Sequence, residues 1–373
     1  MLFRKTCVLL VAIGVTAVAQ APAELSPEAK TKAGAETRRM IQAAPKLPLS
    51  ETELAVSGAS AGFELGMVSW VALDGKGTIY LLQRGDKADP VIAADLHGRV
   101  LRSWGKGLFK LPHAIRIDPA GNIWTVDANS SMVYKFTPAG QKLLEISVGG
   151  QPPETRSPFV GATDVAFGPH GRIFISDGYR NARILEYTAE GRKVREWGKP
   201  GIGPGEFRLP HSIVVGPNGI IYVADRENGR VERFTLDGRF IGEWRIGKTY
   251  SLKLAGDVLW AGMHPVDEPT ASPGWLVKLD PKNGAVLGSV EVPDKSGLHS
   301  VDVAPTGEPI TVVANHVMWF RAVAESARSA EASRYLTCTV SVEPFFAKII
   351  ASSRAGSVWL AFLDTSCVAP GCS

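Results

Sequence analysis

A chain of 373 residues with 45% apolar side chains has enough hydrophobic material for a substantial core, and the length suits either two ordinary domains or one body built from repeats. Its net charge of +4 and pI near 8.8 come without any run of Lys and Arg interleaved with aromatic residues. That excludes a nucleic-acid groove as the purpose of the basicity, which is read as solvated surface.

Arg4 and Lys5 precede an apolar run from Cys7 to Ala19, and small residues follow in Ala17-Val18-Ala19 and Ala19-Gln20-Ala21. A cationic start, a short hydrophobic stretch and an A-x-A site form an export signal over residues 1–21, too short to span a bilayer. The expected location is secreted or periplasmic, with no membrane association once the signal is cleaved. Cleavage leaves only Cys338, Cys367 and Cys372, all near the C-terminus, so the body of the fold is expected to hold without cross-links. Residues 22–50 are polar and Ala-rich. Ser26-Pro27-Glu28 offers a capped helix start, but no sustained apolar face follows, and a loosely docked leader is expected.

The stretch Phe207 to Arg230, FRLPHSIVVGPNGIIYVADRENGR, supplies the repeating unit: a strand carrying His211, a Pro217-Asn218-Gly219 turn and an apolar strand ending in Asp225-Arg226. The same order recurs as VSWVALDGKGTIYLLQRGD after Met67, as LPHAIRIDPAGNIWTVDANSSMVYKF from Leu111 and as ATDVAFGPHGRIFISDGYRNARILEY from Ala162. A degenerate copy begins near Tyr250, and LHSVDVAPTGEPITVVANHVMWF follows Gly297. Gly turns join the strands of each repeat, at Gly75-Lys76-Gly77, Ala120-Gly121, His170-Gly171, Asn218-Gly219 and Thr306-Gly307, with outer hairpins at Ala139-Gly140, Glu190-Gly191, Asp237-Gly238 and Asn283-Gly284.

A period in the forties with about four strands per unit predicts an all-β, six-bladed β-propeller over residues 51–322. The sixth repeat has no outer strand after Phe320, so a strand from within Glu51 to Ser57 is expected to complete it and close the ring, removing the open edges of a linear array. Residues 323–373 match no repeat and are expected to be an irregular tail.

Aligned on their first strands, His113, His211 and His299 share one position, in LPHAI, LPHSI and GLHSV of the second, fourth and sixth repeats. Ser69 and Thr163 hold that position in the first and third, and the fifth repeat does not align. The start of an innermost strand faces the central channel, so alternate blades would send three imidazoles inward. Three neutral imidazoles with an open position suit a catalytic zinc ion. A lone histidine in a strand is more simply a hydrogen-bonded structural residue, and the shared phase of three is what favours a metal. His97 and His170 sit in Gly turns and are read as surface residues, whereas His264 and His316 lie near second-strand ends, within reach of the channel.

The second-strand ends form another ring, of Gln83-Arg84, Asp127-Ala128, Asp177-Gly178-Tyr179 and Asp225-Arg226. Arg84 and Arg226 are equivalent positions on opposite sides of a six-fold ring. Asp127, Asp177 and Asp225 are expected to accept backbone N–H groups in the turns, which leaves the two arginines and Tyr179 as candidates for chemistry, against surface ion pairing as the alternative for each arginine.

With GLFKLPHAIRIDPAGNIWTVD, TDVAFGPHGRIFISDGYRN and LPHSIVVGPNGIIYVADRENGR in its blades, the chain resembles the NHL-repeat propellers, and among them the peptidyl-α-hydroxyglycine α-amidating lyases. The likeness runs from Met67 to Gly247, continues in the sixth repeat and fades in the fifth. It implies zinc on His113, His211 and His299, with Tyr179, Arg84 and Arg226 in catalysis. It also implies a structural calcium held by the backbone carbonyls of Val71 and Ile115 and by a carboxylate next to the third histidine. Ser300 stands where the family has that Asp, with Asp302 close by. The implied reaction cleaves the N–Cα bond of a carbinolamide to give an amide and glyoxylate. The chain itself is expected to be a monomer acting on a small-molecule or peptide substrate. Two other readings keep the propeller: a non-catalytic scaffold that binds a peptide, glycan or protein and carries no metal, and a calcium-dependent lactonase, which needs converging carboxylates and Asn.

Overall fold

The computed structural model describes residues 24–58, 63–149, 159, 161–179, 181–268, 273–292 and 298–323. The stretch expected to be an export signal, residues 1–21, and the expected tail beyond residue 323 lie outside the described residues. The described chain forms a six-bladed β-propeller in which each blade is a four-stranded antiparallel sheet. The innermost strands are Val68–Leu73, Pro112–Ile117, Asp164–Phe167, Pro210–Val215, Lys248–Ala255 and Asp302–Val303. Each packs against the next, and the sixth packs against the first.

The fifth repeat, degenerate in sequence, is a complete blade from Lys248 to Val292. The sixth is closed by Leu49–Leu54, which pairs antiparallel with His316–Ala322 in the register Leu49 to Ala322 and Leu54 to Val317. The closing strand thus begins two residues before Glu51. It supplies the outer edge that the sixth repeat lacks, and the ring is stapled by the two ends of its own sequence.

Apolar residues alternate to both faces of the inner strands because each blade is covered on both sides by its neighbours. Trp70, Tyr80, Ile115, Trp124 and Val165 form one such interblade core, and Phe174, Phe207, Ile213 and Phe234 another. A repeated device locks the rims. Trp104, Trp197 and Trp244 end the outer strands of blades one, three and four, and each lays its indole on a glycine in the outer hairpin of the following blade. A Cβ at Gly140, Gly238 or Gly284 would lie 2.9, 2.8 or 2.5 Å from the respective indole. All three glycines also have positive φ, so both the turn and the close approach require glycine there.

The leader departs from expectation. Pro27–Ala43 is a helix of 17 residues capped by Ser26, whose Oγ accepts from the Ala29 N–H (3.2 Å). It is docked on blade five. Arg38 donates to both oxygens of Asp267 (3.0 and 2.6 Å) and to Glu268 (3.0 Å). Gly34 faces Asp267 so closely that a Cβ would lie 1.7 Å from the carboxylate. Behind the helix, Leu47 N–H and Ser289 N–H exchange hydrogen bonds with Ser289 O (2.8 Å) and Pro45 O (2.9 Å). A broad apolar face is not needed where a bidentate ion pair and a backbone bridge hold the segment, which is why periodicity gave no sign of it.

On blade four one guanidinium serves three carboxylates. Arg230, with a side chain 1% exposed, lies 3.0 Å from Asp225, 3.3 Å from Glu232 and 2.7 Å from Glu243. Glu243 is also paired with Arg245 (2.6 Å), which leaves the single charge of Arg230 against two fully buried carboxylates, Asp225 and Glu232. Burial pushes Glu232 up from its ordinary 4.5 to about 8, against the pull of Arg230. The folded protein therefore keeps a proton on Glu232 over a range where the unfolded chain has lost it, so this contribution to stability is whole below pH 4.5 and disappears as pH rises through about 8. Glu232→Gln, which fixes the neutral form, should lose less stability on alkalinisation. Its thermal midpoint is expected to gain about 3 °C or more on wild type between about pH 5 and about pH 8.5; parallel melting curves across that range would show Glu232 ionised throughout.

Candidate metal centre

The three histidines meet at the channel axis because of a local irregularity that the repeats share. In blades one, two, four and five the pairing of the innermost strand slips by one residue, at Ser69, His113, His211 and Tyr250. A bulge sets two residues against one and re-aims the extra side chain. Thr163 and His299 stand at the same point, just before the short inner strands of blades three and six. Tyr250 therefore fills the fifth position, where sequence alone gave no alignment.

At this level a chain of hydrogen bonds runs from each even blade to the next odd one. His113 Nδ1 lies 2.6 Å from Thr163 O, His211 Nδ1 2.6 Å from Tyr250 O, and His299 Nδ1 2.8 Å from Ser69 O. A carbonyl only accepts, so each Nδ1 carries the proton and each Nε2 keeps its lone pair. The ring centroids form a triangle with sides of 4.8, 4.9 and 4.9 Å, and one ligand nitrogen from each ring lies within 4.8 Å of the others. Among the described residues this is the single group of three or more His, Cys, Asp or Glu placed to hold a metal ion.

Charge at the site reinforces the neutral state. Burial, then His299 and Arg84, push His113 well below the ordinary imidazole value, and burial followed by Arg226 does the same to His211. His299 is driven down to about 3 by burial and Arg84. Neutral imidazoles with fixed Nδ1–H tautomers are the form that binds a metal through Nε2, and the carbonyls behind them are the outer-shell partners that such ligands use.

Tyr179 closes one side of the triangle. Its Oη lies 2.8 Å from His113 Nε2 and 3.4 Å from His211 Nε2, and its ring packs at a tilt against Phe159, with centroids 4.9 Å apart. Gly178 lets the turn come this close, since a Cβ there would lie 2.2 Å from Pro210 O. Burial raises the phenol above its ordinary value, and Arg226 and Arg84 only partly oppose it. The phenol of the metal-free site is therefore protonated at neutral pH.

The two arginines flank the same phenol with different partners. Arg226 donates from Nε to Glu227 (2.9 Å), and its guanidinium lies over the Tyr250 ring at 4.9 Å. Arg84 donates from Nε to Pro112 O (2.9 Å) and forms no ion pair among the described residues. Asp127 and Asp225 serve the turns as expected, accepting from the N–H groups of Leu111 (2.8 Å) and Arg208 (2.8 Å), whereas Asp177 holds the side chains of Asn181 and Arg183 (2.8 and 2.9 Å).

The remaining histidines are elsewhere. His264 is buried beside the site and lies 2.9 Å from Tyr250 Oη, but it is outside the triangle. His316 pairs with Glu53 at the surface (2.6 Å), and His97 and His170 are exposed in turns. Val71 and Ile115 lie one layer below the imidazoles. There Ser300 Oγ accepts from Val71 N–H (3.0 Å) rather than presenting a carboxylate, and the nearby Asp302 is engaged by Lys253 (2.5 Å) and by Leu73 N–H (3.0 Å). Among the described residues no carboxylate oxygen is free at this level to face a divalent cation, so the residues present do not fit a calcium ion.

Residues 207–234 match the family model for the NHL repeat. Peptidyl-glycine alpha-amidating monooxygenase of Mus musculus is 35% identical over 203 residues, which cover 46% of this chain and 21% of that protein. Peptidyl-alpha-hydroxyglycine alpha-amidating lyase 1 of Drosophila melanogaster is 34% identical over 177 residues (44% of this chain, 31% of that protein), and lyase 2 of the same species 30% over 227 residues (56% and 54%). The chain spans from about a fifth to about half of the length of these relatives. Among solved structures, virginiamycin B lyase from Staphylococcus aureus covers 71% of this chain and 82% of its own, with 17% identity and a TM-score of 0.50. That last likeness is one of fold.

Proposed function

We propose that this chain, an NHL-type propeller similar to the peptidyl-α-hydroxyglycine α-amidating lyases, is an exported, zinc-dependent carbon–nitrogen lyase that splits a carbinolamide into an amide and glyoxylate. The supporting observation is the convergence of three neutral Nε2 atoms with the Tyr179 hydroxyl 2.8 Å from one of them. A scaffold that merely binds a partner has no use for three tautomer-fixed imidazoles at its axis.

His113, His211 and His299 would hold the zinc through Nε2. When bound, it supplies Lewis-acid polarisation of a substrate oxygen at its open position. The rest is the work of side chains. Arg84, free of carboxylates among the described residues, binds the substrate carboxylate as a charge-assisted pair. Arg226 is held by Glu227 and by the Tyr250 ring, and it keeps positive potential against the Tyr179 oxygen. In the reaction the N–Cα bond breaks, the hydroxyl oxygen becomes the aldehyde of glyoxylate as it loses its proton, and the departing amide nitrogen gains one. Tyr179 begins protonated and stands at the mouth of the triangle. It gives its proton to the nitrogen and is restored by the hydroxyl proton.

The N-terminal export signal would place this activity in the periplasm or outside the cell. The test is to mix zinc-loaded protein with a set of α-hydroxyglycine peptides and measure glyoxylate. Glyoxylate formed in step with amide is the expected result, and no release from any of them would remove the amidating assignment.

A further inference from the structure

Below the imidazoles lies a second polar ring, and a guanidinium stands at its centre. Arg116 is three residues beyond His113, and its side chain is 9% exposed. Its Nε donates to Asp164 Oδ1 (2.9 Å), and its Nη2 donates to Asp164 Oδ2 (2.6 Å), Ser212 Oγ (3.1 Å) and Leu252 O (3.0 Å). One side chain of blade two thereby ties in blades three, four and five, while its carbon lies 4.8 Å from the Trp70 ring of blade one. Blade six is joined through Asp302, which accepts from Leu73 N–H (3.0 Å) in blade one and pairs with Lys253 (2.5 Å) in blade five.

The register identifies the layer. Leu252 stands two residues beyond Tyr250, as Val71 stands beyond Ser69 and Ile115 beyond His113. The carbonyl captured by Arg116 is the blade-five member of the same set of carbonyls that the family resemblance assigns to calcium. We infer that the Arg116 guanidinium is the structural cation of the channel, in place of calcium.

Charge and valence support the exchange. A carboxylate at position 300 with a divalent ion carries one net positive charge, and so do Ser300 and the Arg116 guanidinium. The carboxylates of this layer are already spent. Asp164 accepts from Arg116 at both oxygens, from Ser212 Oγ (2.8 Å) and from the N–H groups of Ile213 (3.1 Å) and Val165 (2.8 Å). Calcium takes six to eight oxygens and would have to displace these donors while sitting beside a buried positive charge, where like-charge repulsion is poorly screened. The guanidinium delivers several directed hydrogen bonds from a single buried group, which suits it to join blades that share no backbone pairing.

The test measures calcium and zinc separately, so its outcome does not depend on the zinc assignment. Wild-type protein exchanged into about 1 mM calcium and then dialysed should retain less than about a tenth of an equivalent of calcium per chain, and calcium should move its thermal midpoint by less than about 1 °C. Retention of about one calcium per chain, or a midpoint raised by several degrees, would overturn the inference. The double variant Arg116→Met/Ser300→Asp removes the guanidinium and restores the carboxylate. It should gain a calcium-dependent rise in midpoint of roughly 4 °C or more. A folded double variant indifferent to calcium would equally overturn it, and should the variant fail to fold, the wild-type measurement decides alone.

Discussion

Replacing His211 by alanine should abolish stoichiometric zinc binding and lower kcat/KM for an α-hydroxyglycine peptide by more than about 100-fold, the loss that removing an outer-shell partner alone can produce. The size follows from the geometry. His211 is fully buried and contributes one of three converging ligand nitrogens, and its loss leaves two, too few for a catalytic zinc site. The substitution also removes the Nδ1–H donor from Tyr250 O, so circular dichroism and a melting curve should accompany the metal analysis. A folded His211→Ala protein that keeps both its zinc and its rate would show that the triangle is not the reacting centre.

Tyr179→Phe should separate chemistry from metal binding. The ring keeps its packing on Phe159 while the hydroxyl 2.8 Å from His113 Nε2 is lost. Zinc content is expected to stay near that of wild type, KM to change little, and kcat to fall by about 100- to 10,000-fold, the range for removing a positioned proton donor. Stability should change by only about 1 kcal/mol, the net worth of one hydrogen bond. Loss of zinc in Tyr179→Phe would make the phenol a structural support of the triangle, and an unchanged kcat would move the proton transfer to another group.

How much of the molecule is legible in the sequence depends on whether the responsible residues repeat. The blades announce themselves through Gly turns because a tight turn at positive φ admits few other residues, and in the outer hairpins Gly140, Gly238 and Gly284 are constrained further by the indoles of Trp104, Trp197 and Trp244 that rest on them. The histidines stand out because three of them share a phase. Tyr250 escapes because blade five changes the residue type at that position, and the bulge that aligns it is visible only in the strand pairing. Arg116 looks like an ordinary strand arginine, since its partners Asp164, Ser212 and Leu252 lie 48, 96 and 136 residues away. Docking of the leader helix is hidden for a similar reason. Its anchor is the Arg38 to Asp267 pair across 229 residues, not a hydrophobic stripe. The different surroundings of Arg84 and Arg226 likewise emerge only in the structure, because in sequence the two are equivalent ends of equivalent strands.

If the imidazoles of His113, His211 and His299 act together on one ion, the metal content of the protein must depend on them. Elemental analysis of purified wild-type protein after zinc loading and dialysis should return about one zinc per chain, with His211→Ala prepared in parallel returning less than about a tenth. Zinc at the same level in both proteins, or none in the wild type, would mean that the three imidazoles do not form a zinc site.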